Sequence, residues 1–262
     1  MSESMSDVMD IAGAELRHLS RVLGDVGVHA WDRLLGWFVD DWFRLDVFGL
    51  ENVPAEGPAV LVANHSGAWG LDAFVLLKAL SRSVPRQVRV LADPLVFRTP
   101  VLGPYAQAMG AVPVDPRVGL EHLRAGELVG VFPEGMSGLE KPFRERYRLR
   151  SFSPGFAVAA LNAGVPVVPI SVIGAEESVP RLGEIPSLAR LFKLPFFPVT
   201  PAFPLPGKWR ITVGEAIPAP ERPQGFRDRS LLARSFSAEV RAALQELVDR
   251  EREQRDIGLR AG

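Results

Sequence analysis

The 262-residue sequence contains no cysteine and no surplus of either charge, with 30 basic and 31 acidic residues. The missing thiols exclude disulfide bonds, cysteine nucleophiles and cysteine metal sites, and they fit a reducing compartment. The balanced charge argues against nucleic-acid binding, which usually requires a basic surplus. Only four of the basic residues are lysines, a bias that we attribute to genome composition and not to function.

Long apolar runs are also missing. No stretch reaches the roughly 18 to 20 apolar residues that a membrane-spanning helix needs. The best run, Val165 to Ala175, is shorter and is interrupted by Pro166 and Pro169. The first ten residues carry acids and precede no apolar core, so they do not match a secretory signal. These patterns are compatible with a protein that lies on a membrane and predict no segment that crosses one.

Residues 1–46 are predicted to form two amphipathic helices with a break near residues 24–27, because apolar residues recur at three- and four-residue steps. The apolar stripe of the second helix consists of Trp31, Leu34, Leu35, Phe38, Trp42 and Leu45. Tryptophan favours the membrane interface, so this stripe indicates membrane docking. Packing of the same stripe on the domain core is the alternative.

Residues 47–262 alternate between short apolar runs and helical segments, which predicts an α/β domain with a mostly parallel central sheet flanked by helices. The predicted strands are Pro58 to Ala63, Val88 to Ala92, Ala111 to Val114, Leu128 to Phe132, Val165 to Val172 and Trp209 to Val213. The predicted helices are Asp72 to Leu80, Pro104 to Met109, Glu121 to Ala125, Ser153 to Ala163 and Leu231 to Gln254. Pro180 to Pro206, here named the apolar segment, is rich in proline, and Leu191 to Phe203 within it is a second candidate contact surface.

A histidine, His65, follows the first predicted strand of the domain after one residue. The carboxyl ends of strands are where open α/β folds build their sites. A neutral imidazole can take a proton from a hydroxyl near pH 7, and a carboxylate on its other nitrogen fixes the tautomer. Asp72 lies seven residues on, close to two helical turns, although Gly67 and Gly70 favour a loop. The alternative is that His65 caps a helix and Asp72 is a solvated acid.

The turn Phe132-Pro-Glu-Gly135 ends another strand and places Glu134 at the same sheet edge. An acid there can bind a hydroxyl or pair with an arginine, and an ordinary turn is the alternative. Basic residues flank this turn in the sequence: Arg117, Lys141, Arg144, Arg146, Arg148 and Arg150. Arginines bind phosphate through paired hydrogen bonds, so the group predicts a seat for a phosphorylated headgroup or for coenzyme A. A solvated loop balanced by neighbouring glutamates is equally open.

Four motifs, in this order, resemble those of the lysophospholipid and glycerolipid acyltransferases. They are Asn64-His65 followed by Asp72, then Gly110 to Arg117, Phe132 to Gly135, and Val165 to Ile170. The resemblance covers about residues 48–218 and implies that His65 and Asp72 are catalytic. It further implies that Arg117, Glu134 and Gly135 hold the acceptor, and Ser137, Lys141 and Arg144 are additional candidate substrate-binding residues.

The chain departs from this family pattern in two places. Six residues separate the histidine from the aspartate where four are usual, and Gly70 stands at the usual aspartate position. Met136 and Ser137 replace the Thr-Arg pair that often accompanies a phosphorylated acceptor. The downstream residues Lys141 to Leu149 and Val172 to Glu177 are similar to the branch of monoacylglycerol and diacylglycerol acyltransferases. Lysophosphatidic acid and a neutral glyceride therefore both stay open as acceptors.

We expect a fatty acyl group to pass from acyl-CoA or acyl-carrier protein, as co-substrate and not as bound cofactor, to a lipid hydroxyl. Backbone N–H groups at Ser66 and Gly67 are candidate donors to the oxyanion. The expected location is peripheral, on the cytoplasmic face of a membrane, with no nucleic-acid partner. No metal is expected, since the four histidines lack ligand spacing.

Two other functions remain open from the sequence. The first is a lipid hydrolase or thioesterase that uses the same pocket, although no Gly-X-Ser-X-Gly string is present. The second is a non-catalytic lipid-binding protein that retains the pocket. A hydrolase would release the acyl group to water, an acyltransferase would pass it to a lipid, and a binding protein would not release it.

Overall fold

The computed structural model describes residues 26–192, 194, 196–221 and 225–261. The strands are β1 (Asp46–Phe48), β2 (Ala59–Ala63), β3 (Val88–Ala92), β4 (Ala111–Pro113), β5 (Leu128–Val131), β6 (Val167–Ile173), β7 (Gly183–Glu184), β8 (Pro198–Val199) and β9 (Arg210–Val213). The α-helices are α1 (residues 26–37), α2 (Leu71–Ser83), α3 (Pro94–Arg98), α4 (Leu102–Ala108), α5 (Pro116–Arg124), α6 (Met136–Leu139), α7 (Gly155–Ala163), α8 (Ala175–Ser178), α9 (Pro186–Phe192) and α10 (Phe226–Ala261). Short 3-10 or π-helical turns lie at Phe38–Trp42, Leu50–Asn52, Ala68–Gly70 and Phe143–Glu145.

Seven strands form the central sheet in the order β1-β9-β6-β2-β5-β3-β4. The five strands from β6 to β4 run parallel, β9 is antiparallel to β6, and β1 is parallel to β9. The predicted α/β fold with a mostly parallel sheet is therefore confirmed. Strands β2 and β6 are buried along their whole length, which explains their continuous apolar sequence.

Helices cover both faces of the sheet. On one face, α1 and α2 contribute to an apolar cluster that includes Leu35 and Leu80. On the other face, α5, α7 and α10 contribute to a second cluster that includes Phe156 and Leu244. Since both faces are covered, the sheet edge at the strand carboxyl ends is left for a site. Among the described residues, no helix is both long enough and apolar enough to cross a membrane.

The structure divides the apolar stripe predicted for the second helix. Leu35 and Phe38 are buried in the core and Trp31 is partly buried, whereas Leu34 is exposed, as is Trp37, which lies off the stripe. The helix then passes into the π-helical turn Phe38–Trp42. Part of the stripe therefore packs on the domain, and part stays at the surface. The first helix predicted for residues 1–46 lies outside the described residues, so the division at residue 46 stays a prediction.

Several elements differ from their predicted bounds for local reasons. Helix α5 begins at Pro116, well before the predicted residue 121, because the Asp115 side chain caps it and accepts a hydrogen bond from Arg117 N. Helix α10 is longer at both ends than predicted. Strand β1 was not predicted, because three half-exposed residues carry no clear alternation.

Candidate functional site

The carboxyl ends of three adjacent strands carry the candidate site. His65 follows β2, Glu134 follows β5, and Glu176 follows β6. These strands are neighbours in the order β6-β2-β5 and run parallel, so their carboxyl ends meet at one edge of the sheet. Three ionisable side chains that are far apart in the sequence are thereby brought to the same edge.

The predicted histidine–aspartate pair is present in the structure. His65 Nδ1 lies 2.8 Å from Asp72 Oδ2, and the Ser66 N–H donates to the same oxygen at 2.7 Å. The Asp72 side chain is fully buried in the first turn of α2, where the helix dipole favours a carboxylate. His65 is 14% exposed, and its Nε2 makes no contact with a polar group in the described part of the chain. The pair can therefore present a basic nitrogen to a substrate.

A left-handed turn closes the long spacing between these two residues. Gly67, Trp69 and Gly70 have φ angles of 78°, 75° and 68°. A positive φ is uncommon for a residue other than glycine, so Trp69 is an exception in this turn. The turn exposes Trp69, buries its neighbours and returns Asp72 to His65, so no continuous helix is needed. We refer to residues 64–72 as the His–Asp turn.

Gly70, at the usual aspartate position of the resembling family, lies directly beside the imidazole. A Cβ atom on Gly70 would lie 3.6 Å from His65 Cε1 and 4.0 Å from His65 Nε2. The absence of a side chain at residue 70 therefore leaves room next to the nitrogen that faces no protein group.

Glu134 holds the backbone of the site together. Its Oε1 accepts a hydrogen bond from His65 N at 3.0 Å, and its Oε2 accepts one from Arg150 N at 2.7 Å. The side chain is completely buried. Both oxygens are engaged by the protein, which differs from the expectation that Glu134 binds the acceptor. The geometry instead indicates that it positions His65.

Three further residues shape the surroundings of His65. The Asn64 side chain donates to Val172 O at 2.9 Å and accepts from Val172 N at 2.7 Å, so it extends the pairing of β2 with β6 by one rung. The Phe132 ring lies 4.5 Å from the imidazole, centroid to centroid. A Cβ atom on Gly138 would approach His65 O to 2.6 Å, so only glycine fits there. The sequence motifs contain Asn64 and Phe132, but nothing in the pattern indicates these contacts.

The Lys141 side chain is almost completely buried, and Lys141 lines a small cleft beside the His–Asp turn together with Gly67. Its side chain is 2% exposed, and Nζ lies 3.0 Å from Glu176 Oε1 and 3.4 Å from Glu134 Oε2. Burial raises the pKa of Glu176, and the Lys141 ammonium opposes that effect. Lys141 therefore forms ion pairs with two buried carboxylates, and its expected substrate-binding role stays a prediction.

The remaining predicted residues are more loosely connected to the pair. Arg117 is exposed near the start of α5, and Arg144 is 83% exposed beside Glu145. Gly135 is also exposed, and the Ser137 hydroxyl donates to Glu134 O at 2.6 Å. The structure gives none of these four residues a polar contact with His65, so their substrate-binding role stays a prediction.

The two candidate oxyanion donors differ. The Ser66 N–H is engaged by Asp72, so it is not free to stabilise an oxyanion. The Gly67 N–H has no acceptor among the described residues, and Gly67 lines a small cleft together with Lys141, Glu176 and Arg181. Gly67 therefore remains the candidate donor. In the part of the chain that the structure describes, no group of three or more histidine, aspartate or glutamate residues could hold a metal ion.

Comparison with known proteins gives a consistent set of similarities. A family model described as Acyltransferase matches residues 44–173. An uncharacterized protein of Mycobacterium tuberculosis is 41% identical over 229 residues, which cover 83% of this chain and 64% of that protein. A DGAT1/2-independent enzyme synthesizing storage lipids, from Gallus gallus, is 30% identical over 210 residues, or 79% of this chain and 60% of that enzyme.

A solved structure shares the fold. The 1-acyl-sn-glycerophosphate (LPA) acyltransferase PlsC from Thermotoga maritima superimposes with a TM-score of 0.53 at 22% identity. The match covers 87% of this chain and 81% of that one. By contrast, this chain spans less than two thirds of the length of the mycobacterial and avian relatives.

Proposed function

We propose that the chain moves a fatty acyl group from acyl-CoA or acyl-carrier protein to a hydroxyl of a glycerolipid, and the match of residues 44–173 to the Acyltransferase family model supports this proposal. The observation that carries the proposal is the pairing of His65 Nδ1 with the buried Asp72 carboxylate, which leaves Nε2 without a polar partner among the described residues. That arrangement suits a general base for a hydroxyl.

In the proposed reaction, His65 Nε2 takes the proton of the acceptor hydroxyl while the oxygen attacks the thioester carbonyl. A carbon–oxygen bond forms, and the carbon–sulfur bond then breaks. The imidazolium returns its proton to the departing thiolate, so the protein ends unchanged. Asp72 stabilises the imidazolium, and the Gly67 N–H is the candidate donor to the oxyanion.

We propose a neutral glyceride, such as a mono- or diacylglycerol, as the acceptor. A phosphorylated acceptor needs cations beside the site, and one of the predicted cations, Lys141, is paired with two carboxylates. The storage-lipid name of the avian relative supports the same choice. Comparing initial rates with monoacylglycerol and with lysophosphatidic acid tests it, and faster transfer to the phosphorylated acceptor would refute it.

A hydrolase is less well supported by the geometry. Among the described residues, no serine hydroxyl contacts His65, and the Ser137 hydroxyl is bound to a carbonyl. A water molecule activated by His65 is the remaining hydrolytic route. Thiol release from acyl-CoA that proceeds equally well with and without a glyceride would favour it.

The test is a thiol-release assay on the purified chain with acyl-CoA and monoacylglycerol. Because the chain contains no cysteine, a thiol reagent detects the released coenzyme A without background from the protein. We expect His65→Ala to lower the rate by roughly 10² to 10⁴-fold, the usual contribution of a general base. His122→Ala is the matched control, since His122 pairs with Glu127 away from the site. A rate near wild type in His65→Ala would refute the mechanism.

We further propose that the chain contacts a lipid bilayer through one apolar surface. Its exposed members are Trp37, Trp69, Leu191, Phe192 and Phe203, which we name the lipid-facing surface. Large exposed apolar patches mark interaction or membrane sites in soluble proteins. A bilayer is the occupant that fits, because the proposed acceptor and product both reside in one.

Aromatic contacts join this surface to the core and to the site. Phe203, in the apolar segment, lies 5.4 Å from Phe38 and 5.6 Å from Trp42, centroid to centroid. Phe197, also in the apolar segment, lies 5.4 Å from Trp69 of the His–Asp turn. The proposed bilayer contact is therefore adjacent to His65, which shortens the path of a lipid acceptor.

A further inference from the structure

We infer that Lys141 is a positioning residue for His65: its buried ammonium joins the carboxylates of Glu134 and Glu176 and so keeps the histidine backbone in place. The inference rests on the proposed function for its kinetic consequence. Its structural part concerns the free protein and holds whatever the reaction is.

The buried triad of Glu134, Lys141 and Glu176 connects the loops that follow β5 and β6. The Lys141 Nζ lies 3.4 Å from the first carboxylate and 3.0 Å from the second. The side chains of all three are almost completely excluded from water. The shared ammonium therefore connects the segment that follows β5 to the segment that follows β6, which are far apart in the sequence.

Each carboxylate of the triad also holds backbone. Glu134 accepts from His65 N and Arg150 N, and Glu176 Oε2 accepts from Tyr147 N at 2.5 Å. A displacement of Glu134 would therefore be transmitted directly to the peptide group of His65. The link needs no intermediate residue, because Glu134 accepts its hydrogen bond from His65 itself.

Charge balance explains why the lysine is needed. Without the ammonium, two carboxylates would face each other in a region of low polarity. Removing one partner of a buried ion pair leaves the other charge uncompensated, and one carboxyl group must then take up a proton or move. Burial already raises the pKa of Glu176, and its neighbour Glu134 adds to that effect. The predicted response to loss of Lys141 is a shift of Glu134 away from His65.

The kinetic test uses the full chain and the substitution Lys141→Met, which keeps much of the side-chain length without the charge. We expect kcat to fall about 10²-fold, the scale that a misplaced catalytic group produces, with KM for both substrates unchanged. The double variant Lys141→Met/Glu176→Gln removes the repulsion between the carboxylates, so it should recover most of the lost kcat. Lys78→Met is the control, because Lys78 is a similarly buried lysine that pairs with Asp32.

A second readout does not depend on catalysis. In protein labelled with ¹⁵N-histidine, the His65 resonance, identified by its loss in His65→Ala, reports the imidazole and its Asp72 hydrogen bond. We expect it to shift in Lys141→Met, to return in the double variant, and to stay unchanged in Lys78→Met. If the wild-type chain transfers no acyl group, this measurement still decides the inference.

Two results would overturn the inference. A rise in KM with an unchanged kcat and an unchanged His65 resonance would show that Lys141 binds substrate. A lower melting temperature with unchanged kcat and resonance would show that the ion pairs support the fold alone.

Discussion

The His–Asp turn and the apolar segment lie side by side, but their side chains differ in polarity and in exposure to solvent. In the turn, Asn64, Ser66 and Asp72 are buried and bound by hydrogen bonds to neighbours. In the segment, Leu191 and Phe192 are largely exposed to solvent. The comparison teaches that the residues proposed for the chemistry are polar groups with fixed partners, whereas the residues proposed for lipid contact are apolar side chains open to solvent.

We expect the largest effect from Asp72→Asn, which removes the buried carboxylate of the His–Asp turn. An amide donating to His65 Nδ1 would place the imidazole proton on Nε2, which could then no longer accept one. We expect kcat to fall by roughly 10² to 10⁴-fold with little change in bilayer binding. Steady-state kinetics measure the effect, and Asp46→Asn, at a surface ion pair with Lys208, is the control. A loss of only a few-fold would remove Asp72 from the mechanism.

Glu134→Gln tests a polar residue that we expect to act through His65 and not on the substrate directly. A glutamine retains one acceptor oxygen, so either His65 N or Arg150 N would face an amide NH₂ group. We expect kcat to fall about 10 to 10²-fold through displacement of His65, and unfolding to become about 1–3 kcal/mol easier. Kinetics and chemical denaturation of the same preparation give both values. A rise in acceptor KM alone would restore the substrate-binding role expected from the sequence.

The double variant Leu191→Ser/Phe192→Ser tests whether the exposed apolar segment binds lipid. Removing two side chains that we propose to contact lipid should weaken binding to neutral vesicles about tenfold, because each contributes through its apolar area. Vesicle co-sedimentation measures this, and kcat toward a dispersed short-chain acceptor should stay at the wild-type value. Leu231→Ser is the control, since Leu231 is similarly exposed on α10. Equal loss in both variants would contradict a specific lipid-facing surface.

The smallest expected effect concerns the attachment of α1, which carries part of the lipid-facing surface. Asp32 accepts hydrogen bonds from Lys78 and Tyr105. Burial acts to raise the pKa of Asp32, but these two partners bring it below its ordinary value. The carboxylate therefore stabilises the fold at neutral pH, and this contribution disappears as the pH falls through the lowered pKa.

We expect Asp32→Asn to reduce the free energy of unfolding by about 0.2–1 kcal/mol at pH 7, since the Asp32 side chain is 42% exposed. Chemical denaturation should show no difference between variant and wild type below the lowered pKa. A difference that grows as the pH falls would contradict the assigned direction.

Much of the fold could be predicted from the sequence because its main signals are local. The continuous apolar run of β2 needs only its own residues to indicate a buried strand, and His65 follows it directly. The spacing to Asp72 also predicted the correct partner. The left-handed turn that joins them could not be predicted, because Trp69 adopts a positive φ that its residue type disfavours.

The orientation of the charged residues was outside the reach of local signals. Glu134 and Lys141 are ordinary surface residue types in a polar stretch, so a solvent-facing or substrate-facing direction was the natural expectation. Their actual partners, His65 N and Glu176, lie in the segments that follow strands β2 and β6. Only the strand order β6-β2-β5 brings those partners together. The roles of buried charges therefore follow from topology and not from the motif that contains them.

The twin hydrogen bonds of Asn64 also require its side-chain amide to stay chemically intact, because they use both of its polar atoms. Hydrolysis of that amide would convert a donor into a second acceptor, setting an oxygen against Val172 O at the 2.9 Å now spanned by the Nδ2 hydrogen bond. The change would lie one residue before His65 and would add one negative charge, so ageing of a preparation can be followed by its charge.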